Sequence, residues 1–138
     1  MSRLLLDTNY LLDFIVKERP ESDEAVRLFR LIVQGEHEGL VVSTSLKDLY
    51  YLARKGLSDQ ECRDWIRVFM RAFAVCALDQ DACWAALNSD EPDFEDGCIR
   101  AIAEHEGVDF IITRDADAFA RSTVKTYTAR RFLELFDV

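Results

Sequence analysis

The residues of this chain best suited to chemistry are four aspartates: Asp7, Asp48, Asp96 and Asp115. Asp7 directly follows the apolar run 4–6, which predicts a short buried strand that ends on a carboxylate. Ligands bind at the carboxyl edge of open α/β sheets, and a carboxylate placed there is costly unless a cation shares the site. Carboxylate oxygens suit Mg²⁺ or Mn²⁺. The pattern therefore predicts a divalent metal site.

The elements that must position these acids alternate between strand and helix, which predicts an α/β fold with a mostly parallel sheet. The predicted strands are residues 4–7, 40–43, 74–78, 110–113 and 124–126. The first three predicted helices run from 9 towards 16, from 20–23 to an end at Gly35 and Gly39, and over 46–55. The fourth begins with a capping box at 58–61. The last three cover 79–87, 93–107 and 130–136. We expect a single domain over residues 1–138.

This topology brings the four aspartates to one edge of the sheet. Asp7 ends the first strand and Asp115 follows the fourth, while Asp48 lies in the first turns of the helix that leaves the second strand. Asp96 lies early in the helix that precedes the fourth strand. That helix must run antiparallel to the strand, so it begins at the same edge.

Helical spacing strengthens the case for two of them. Asp96 and its neighbour Glu95 share a stripe with the apolar residues of their helix, and Asp48 precedes Tyr51 by three positions and Leu52 by four. Residues three and four apart lie on one helix face, so we expect these acids to face the core rather than solvent.

Each acid also has a purely structural explanation. Asp7 is a suitable cap for the following helix, although Thr8 would serve as well. Asp96, with Asp93 and Glu95, is favoured in a first turn by the helix dipole. Asp48 and Asp115 are compatible with solvated positions. The ordered set is more specific than any member.

The motifs at 6–9 (Leu-Asp-Thr-Asn), 93–96 (Asp-Phe-Glu-Asp) and 112–115 (Ile-Thr-Arg-Asp), with Phe119 after them, resemble the PIN-domain nucleases, especially the bacterial VapC-type toxins. The resemblance covers essentially the whole chain. It implies a three-layer α/β/α sandwich, a ribonuclease that depends on Mg²⁺ or Mn²⁺, and metal ligation by Asp7, Asp96 and Asp115.

The chain departs from the family pattern at two acidic positions. Asp48 stands where relatives usually have glutamate, and its shorter side chain predicts contact with the metal only through water. Relatives often place an aspartate directly before the phenylalanine, but here Ala118 precedes Phe119. Asp117 is therefore an alternative to Asp115 as the fourth acid.

Hydrolysis of a phosphodiester at a metal site needs no histidine or nucleophilic serine. Thr8, Asn9 and Thr113 are candidates for hydrogen bonds that orient the carboxylates, with Asp93, Glu95 and Asp117 as accessory acids. Candidate RNA contacts are Arg114, beside the acidic edge, and a stripe at every fourth position of one helix, namely Arg63, Arg67 and Arg71. That stripe is equally typical of a solvated helix face.

Composition sets limits on function and location. The formal net charge of −9 argues against a protein that binds nucleic acid by bulk attraction, although bound metal ions reverse the sign locally. The cysteines at 62, 76, 83 and 98 contain no Cys-x-x-Cys pair, so we expect reduced core cysteines rather than a zinc site. With neither a signal-peptide pattern nor a long apolar run, a cytoplasmic protein without a membrane span is expected.

The resemblance further implies an RNA substrate, a small antitoxin partner and a homodimer. Four aromatic residues on the third and fourth helices, Tyr50, Tyr51, Trp65 and Phe69, are candidates for the dimer contact but equally for the core. Three other interpretations remain open: a catalytically silent PIN-like binding module, a receiver-like phosphoacceptor domain, and a haloacid-dehalogenase-like phosphatase. The last two expect a second acid near Asp7, where Thr8 and Asn9 stand instead.

Overall fold

A computed structural model of the chain describes residues 1–115 and 117–136. Five strands form one parallel sheet in the order β3-β2-β1-β4-β5. The strands are β1 (Arg3–Leu6), β2 (Glu38–Val42), β3 (Ala74–Cys76), β4 (Phe110–Ile112) and β5 (Lys125–Tyr127). Receiver domains have the strand order 2-1-3-4-5, so the receiver-like alternative does not match this sheet.

Seven helices in the described part of the chain connect and cover the strands. They are α1 (Thr8–Ile15), α2 (Ser22–Val33), α3 (Ser43–Ala53), α4 (Asp59–Ala72), α5 (Gln80–Asn88), α6 (Phe94–Glu106) and α7 (Ala129–Phe136). None of the described helices is long and apolar enough to cross a bilayer. The four cysteines are free thiols; Cys62 and Cys98 are buried in the core, whereas Cys76 and Cys83 are half-buried.

The two faces of the sheet each pack against helices, which gives the predicted three-layer sandwich. Leu4 and Leu6 of β1 enter a core with residues of α1, α2, α3, α4 and α7. Leu5 points the other way, into a second core with α6 residues such as Ile102. This alternation is the period of two that a pleated strand imposes.

Several predicted boundaries are corrected. Gly39 does not close the second helix but pairs with Leu4 inside β2. A Cβ at Gly39 would lie 2.7 Å from Cδ1 of Phe73, so glycine is required by close packing. Ser43 begins α3 rather than ending a strand, and β3 stops at Cys76 instead of residue 78.

Three helix ends have well-defined caps. The Ser58 side chain accepts from the backbone N–H of Glu61, and the Glu61 side chain accepts from the N–H of Ser58, which forms the predicted capping box at the start of α4. Asp79 caps α5 by accepting from Ala82. Gly107 ends α6 in the left-handed conformation, with φ of 62°. These signals are local, so the sequence alone identifies them.

The aromatic residues proposed for a dimer contact mostly belong to the core. Phe69 is fully buried, and Tyr50 and Trp65 are half-buried against the same cluster. Of the four, only Tyr51 is largely exposed, at 72%. The sequence argument for a dimer from these aromatics is therefore wrong for Phe69 and weak for its neighbours.

Candidate active site

A cleft of about 550 Å³ opens where the chain leaves β1 and β2, and four acids line it: Asp7, Asp48, Glu95 and Asp96. Asp7 comes from the end of β1, Asp48 from α3, and the other two from the first turn of α6. The predicted meeting of Asp7, Asp48 and Asp96 at the carboxyl edge of the sheet is therefore observed. Asp115 and Asp117 lie outside this lining.

Asp7 is both the cap of α1 and one of the acids that line the cleft. Its Oδ1 accepts from the backbone N–H of Thr8 at 2.8 Å, and its Oδ2 accepts from the hydroxyl of Thr113 at 3.0 Å. Burial raises the pKa of Asp7 despite these two hydrogen bonds, and the negative charges of Glu95 and Asp115 raise it further. Each carboxylate oxygen keeps a second lone pair, so capping leaves acceptor capacity for a ligand.

The direction of the hydrogen bonds around Asp7 is determined by Asn9. The backbone N–H of Arg114 donates to Asn9 Oδ1 at 3.0 Å, which fixes the orientation of the amide. Asn9 Nδ2 then donates to Thr113 Oγ1 at 3.0 Å. The hydroxyl of Thr113 has a single proton, and of its two acceptors Asp7 Oδ2 at 3.0 Å is closer than Asn9 Oδ1 at 3.3 Å. Thr113 therefore donates to the Asp7 carboxylate directly, Asn9 reaches it through Thr113, and Thr8 contributes its backbone N–H.

Asp96 lies on α6 at the side of the cleft. The backbone N–H of Asp96 donates to the capping carboxylate of Asp93 at 3.0 Å. Burial raises the pKa of Asp96 to about 6, with additional contributions from the negative charges of Asp93, Asp7, Glu91 and Glu95. A carboxyl group whose charged form is disfavoured in this way is a candidate functional group.

Asp48 occupies the cleft together with Tyr51 and Leu52, so the three do share one helix face. That face borders the cleft rather than the core, because Tyr51 and Leu52 are exposed. The expectation that Asp48 faces the core is therefore wrong. Asp48 also pairs with Lys47, whose Nζ lies 3.4 Å from Oδ1.

Asp115 is exposed in the loop after β4, and its Oδ1 accepts from the backbone N–H of Asp117 at 3.1 Å. Asp115 acts on Asp7 through its charge. The same loop is anchored by Phe119, which is buried with φ of 64°. Ala116, between the two aspartates, is outside the described residues.

The donors of the cleft fit a hard divalent ion, since they are carboxylates. Within residues 1–115 and 117–136, however, no three His, Cys, Asp or Glu side chains are gathered closely enough to hold a metal. Mg²⁺ is commonly held by one or two carboxylates and several waters. Two acids with a raised pKa, Asp7 and Asp96, are compatible with that coordination.

Three of the arginines predicted to contact RNA lie exposed on α4, away from the cleft. Arg63 pairs with Asp59 at 2.8 Å and Arg67 with Asp64 at 2.9 Å, both on α4, and neither lines the cleft. Arg71 lies in the last turn of that helix. The stripe is therefore a solvated helix face.

Arg114 belongs to a buried ion-pair network that sequence reasoning missed. Asp13 of α1 is 3% exposed and binds the guanidinium groups of Arg19, at 2.9 Å, and Arg114. The ion pair with Asp13 holds Arg114 in place, and the backbone N–H of Arg114 in turn orients Asn9. Asp13 therefore supports the hydrogen bonds around Asp7 indirectly. The available signal was an acid inside the apolar run 11–15, since such an acid needs a partner when buried.

Comparison with known proteins gives one family. The family model for the PIN domain matches residues 3–117. Among curated proteins, none matches the sequence.

Solved structures share the fold at low sequence identity. VapC20 of Mycobacterium tuberculosis, described as a sarcin-ricin loop cleaving toxin, is 16% identical with a TM-score of 0.72, and the match covers 88% of this chain and 97% of that one. A toxin-antitoxin complex from Klebsiella pneumoniae is 21% identical with a TM-score of 0.67, over 91% and 97% of the two chains. DNA-bound VapBC from Salmonella typhimurium is 21% identical with a TM-score of 0.67, over 94% and 99%.

Proposed function

Because this chain belongs to the PIN-domain family, we propose that it is an endoribonuclease dependent on Mg²⁺ or Mn²⁺, and the toxin of a toxin–antitoxin pair. The observation that carries the proposal is the meeting of Asp7 and Asp96, two acids with a raised pKa, in one cleft at the carboxyl edge of the sheet. We further propose that residues 1–138 form one such domain.

In this proposal Asp7 and Asp96 hold the metal, and Asp115 completes the set from the neighbouring loop. When bound, a divalent ion lowers the pKa of an attacking water and stabilises the leaving oxygen. Thr113 and Asn9 keep the carboxylate of Asp7 in one orientation, so that little reorganisation is needed on binding. Asp48, at the other side of the cleft, acts through water. Glu95 and Asp93 increase the negative potential that attracts the cation.

We place the protein in the cytoplasm with a small antitoxin and as a homodimer. The antitoxin is supported by the solved structures of similar fold, which include toxin–antitoxin complexes from Klebsiella pneumoniae and Salmonella typhimurium. The homodimer is supported by resemblance to the family, and the exposed Tyr51 is the aromatic residue left to contribute to it.

A silent PIN-like binding module is the second candidate. It is favoured by the lack, in the described part of the chain, of three metal-ligating side chains in close contact, and by Asp48 in place of glutamate. The two candidates differ in one measurable property, which is cleavage.

The decisive experiment compares cleavage of RNA by wild type, Asp7→Asn and Asp96→Asn with added Mg²⁺ or Mn²⁺. Each substitution keeps the side-chain shape and removes the charge, so we expect cleavage to be lost while circular dichroism stays unchanged. Asp48→Asn should reduce the rate less. The matched control is Asp81→Asn, an exposed acid in the first turn of α5, which should cleave as wild type does.

Cleavage at the wild-type rate by Asp7→Asn and Asp96→Asn would assign the activity to a contaminating nuclease or to another site. Wild-type protein that binds RNA and Mn²⁺ but never cleaves would favour the silent module. Loss of cleavage in EDTA, with recovery on addition of Mn²⁺, checks the dependence on metal separately.

A further inference from the structure

Arg100 of α6 is the centre of an ion-pair network that lies outside the lining of the cleft. Its guanidinium is 2.6 Å from Asp90 Oδ1 and 3.0 Å from Glu104 Oε2. The Arg100 side chain is 13% exposed, whereas those of Arg63 and Arg67 on α4 are 60% and 55% exposed. Exposed ion pairs contribute little to structure. A largely buried arginine with several carboxylate partners is the better candidate to hold segments of the chain in place.

On one side, the network holds the segment 89–93, which leads into α6. Glu91 belongs to this segment, and its Oε1 lies 3.8 Å from the guanidinium of Arg100. The Glu91 side chain is 5% exposed, and its Oε1 has no hydrogen-bond partner among the described residues. Arg100 therefore supplies the positive charge that this buried carboxylate needs. The segment ends at Asp93, whose carboxylate accepts from the backbone N–H of Asp96.

On the other side, the network reaches the loop after β4, which carries Asp115. Glu104 Oε2 is the atom that Arg100 binds. The same oxygen accepts from the hydroxyl of Ser122 at 2.7 Å and from the backbone N–H of Thr123 at 3.4 Å. The loop is thus attached to α6 through one carboxylate oxygen, and Arg100 orients that oxygen.

The two segments held by this network carry two of the three acids proposed to hold the metal. Asp96 lies at the start of α6, and Asp115 lies in the attached loop. Ligands of one ion must keep a defined separation, and side chains of a functional site need to stay within about 0.5 Å of the productive geometry. A contact that fixes the loop against the helix therefore also fixes how far Asp115 lies from Asp96.

We propose that Arg100 is a positioning residue for the metal site. Through Glu104 it holds the loop of Asp115 against α6, and this contact keeps Asp115 and Asp96 at the separation that the metal requires. The inference rests on the proposed metal-dependent nuclease function. It also predicts a sign. Loss of the Arg100 charge alone would strengthen the binding of a cation to nearby acids, whereas loss of positioning weakens it.

The test is calorimetric titration of the metal-free protein with Mn²⁺ in the absence of RNA. Ser122→Ala removes the hydrogen bond to Glu104 without a change in charge. Its dissociation constant for Mn²⁺ should rise about tenfold, the lower end of the loss seen when residues behind metal ligands are removed. Arg100→Gln should also raise this constant, and Arg100→Lys should recover part of the affinity. The matched control is Arg131→Gln, an exposed arginine paired with Glu134 at 3.1 Å within α7, which should bind Mn²⁺ as wild type does.

A double-mutant cycle tests whether Arg100 and Ser122 act through the same contact. If they do, the double variant should bind Mn²⁺ no more weakly than the weaker single variant. In cleavage assays, the Mn²⁺ concentration for half-maximal rate should rise in both single variants, while the KM for RNA at saturating Mn²⁺ stays at the wild-type value. Circular dichroism detects misfolding of Arg100→Gln, and the Ser122→Ala arm remains decisive in that case.

Several results would overturn the inference. Wild-type affinity for Mn²⁺ in both Ser122→Ala and Arg100→Gln would remove the positioning role while the nuclease function stands. Tighter binding of Mn²⁺ by Arg100→Gln would leave Arg100 with an effect of charge alone. Additive losses in the double variant would exclude a shared route through Glu104. Failure of wild-type protein to bind Mn²⁺ or to cleave RNA would remove both proposals.

Discussion

Replacing Asp96 by asparagine should make the protein more stable at neutral pH while it abolishes cleavage. The pKa of Asp96 is raised from 3.8 to about 6 in the folded chain. The folded state therefore binds this proton more tightly than the unfolded state, and ionisation of Asp96 destabilises the fold as pH rises from 3.8 through about 6. Above that range the penalty is fully present, and below it the penalty is absent.

The size of the effect follows from the same pKa. The difference between 3.8 and about 6 corresponds to about 3 kcal/mol. Asp96 is partly accessible to solvent, and screening reduces this to about 1.5 kcal/mol. Loss of a first-turn acid removes about 0.5 kcal/mol of helix-dipole stabilisation. We therefore expect Asp96→Asn to gain about 1 kcal/mol at pH 7, which raises Tm by about 4 °C.

The assay is urea unfolding of wild type and Asp96→Asn between pH 4 and pH 8, in EDTA. The gain should vanish towards pH 4 and reach its full size above pH 6. Asp81→Asn is the matched control, because it removes an exposed first-turn acid from α5, and it should lose a little stability. Equal stability of wild type and Asp96→Asn at pH 7, or a gain that persists at pH 4, would refute the electrostatic reasoning.

Three further predictions concern metal, ion pairing and packing. Mn²⁺ at 100 times its dissociation constant should add about 2.7 kcal/mol to the free energy of unfolding of wild type, and so raise its Tm. Calorimetry should show no binding of Mn²⁺ to Asp7→Asn. Asp13→Ala should lose about 2 kcal/mol in urea unfolding, because two arginines lose their buried partner; an unchanged midpoint would contradict this. Gly39→Ala should lose about 1–3 kcal/mol because its Cβ meets Phe73 at 2.7 Å, whereas Gly56→Ala, with nothing within 4 Å, should be neutral.

The sheet and the placement of Asp7 and Asp96 could be predicted because they depend on local pattern and topology. Asp7 ends a parallel strand, so it lies at the carboxyl edge of the sheet. Asp96 begins a helix that must run antiparallel to the next strand, so it lies at the same edge. Helix caps at Ser58 and Gly107 were likewise readable, because the signal lies within a few residues of the feature.

The errors arose where distant parts of the chain decide the outcome. Spacing places Asp48 and Tyr51 on one face of α3, but spacing does not distinguish a face that packs on the core from one that borders a cleft. One partner of Asp13, Arg114, is 101 positions away, so no local pattern identifies that ion pair. Gly39 looked like a helix terminator, and only the ring of Phe73 shows why glycine is needed there.

Structural acids and candidate functional acids in this fold differ in whether a cationic side chain pairs with them. Asp13 is buried as well, and burial raises its pKa, but it forms ion pairs with Arg19 and Arg114, and the charge of Arg114 lowers the pKa in return. Asp7 and Asp96 form no ion pair with any of the described residues, and burial together with neighbouring acids raises the pKa of each. The rule that a buried charge needs an oppositely charged partner is one that proteins break mainly at functional sites. Their uncompensated charge, together with the hydrogen bonds that orient Asp7, is the arrangement expected of carboxylates kept for a cation supplied from solution.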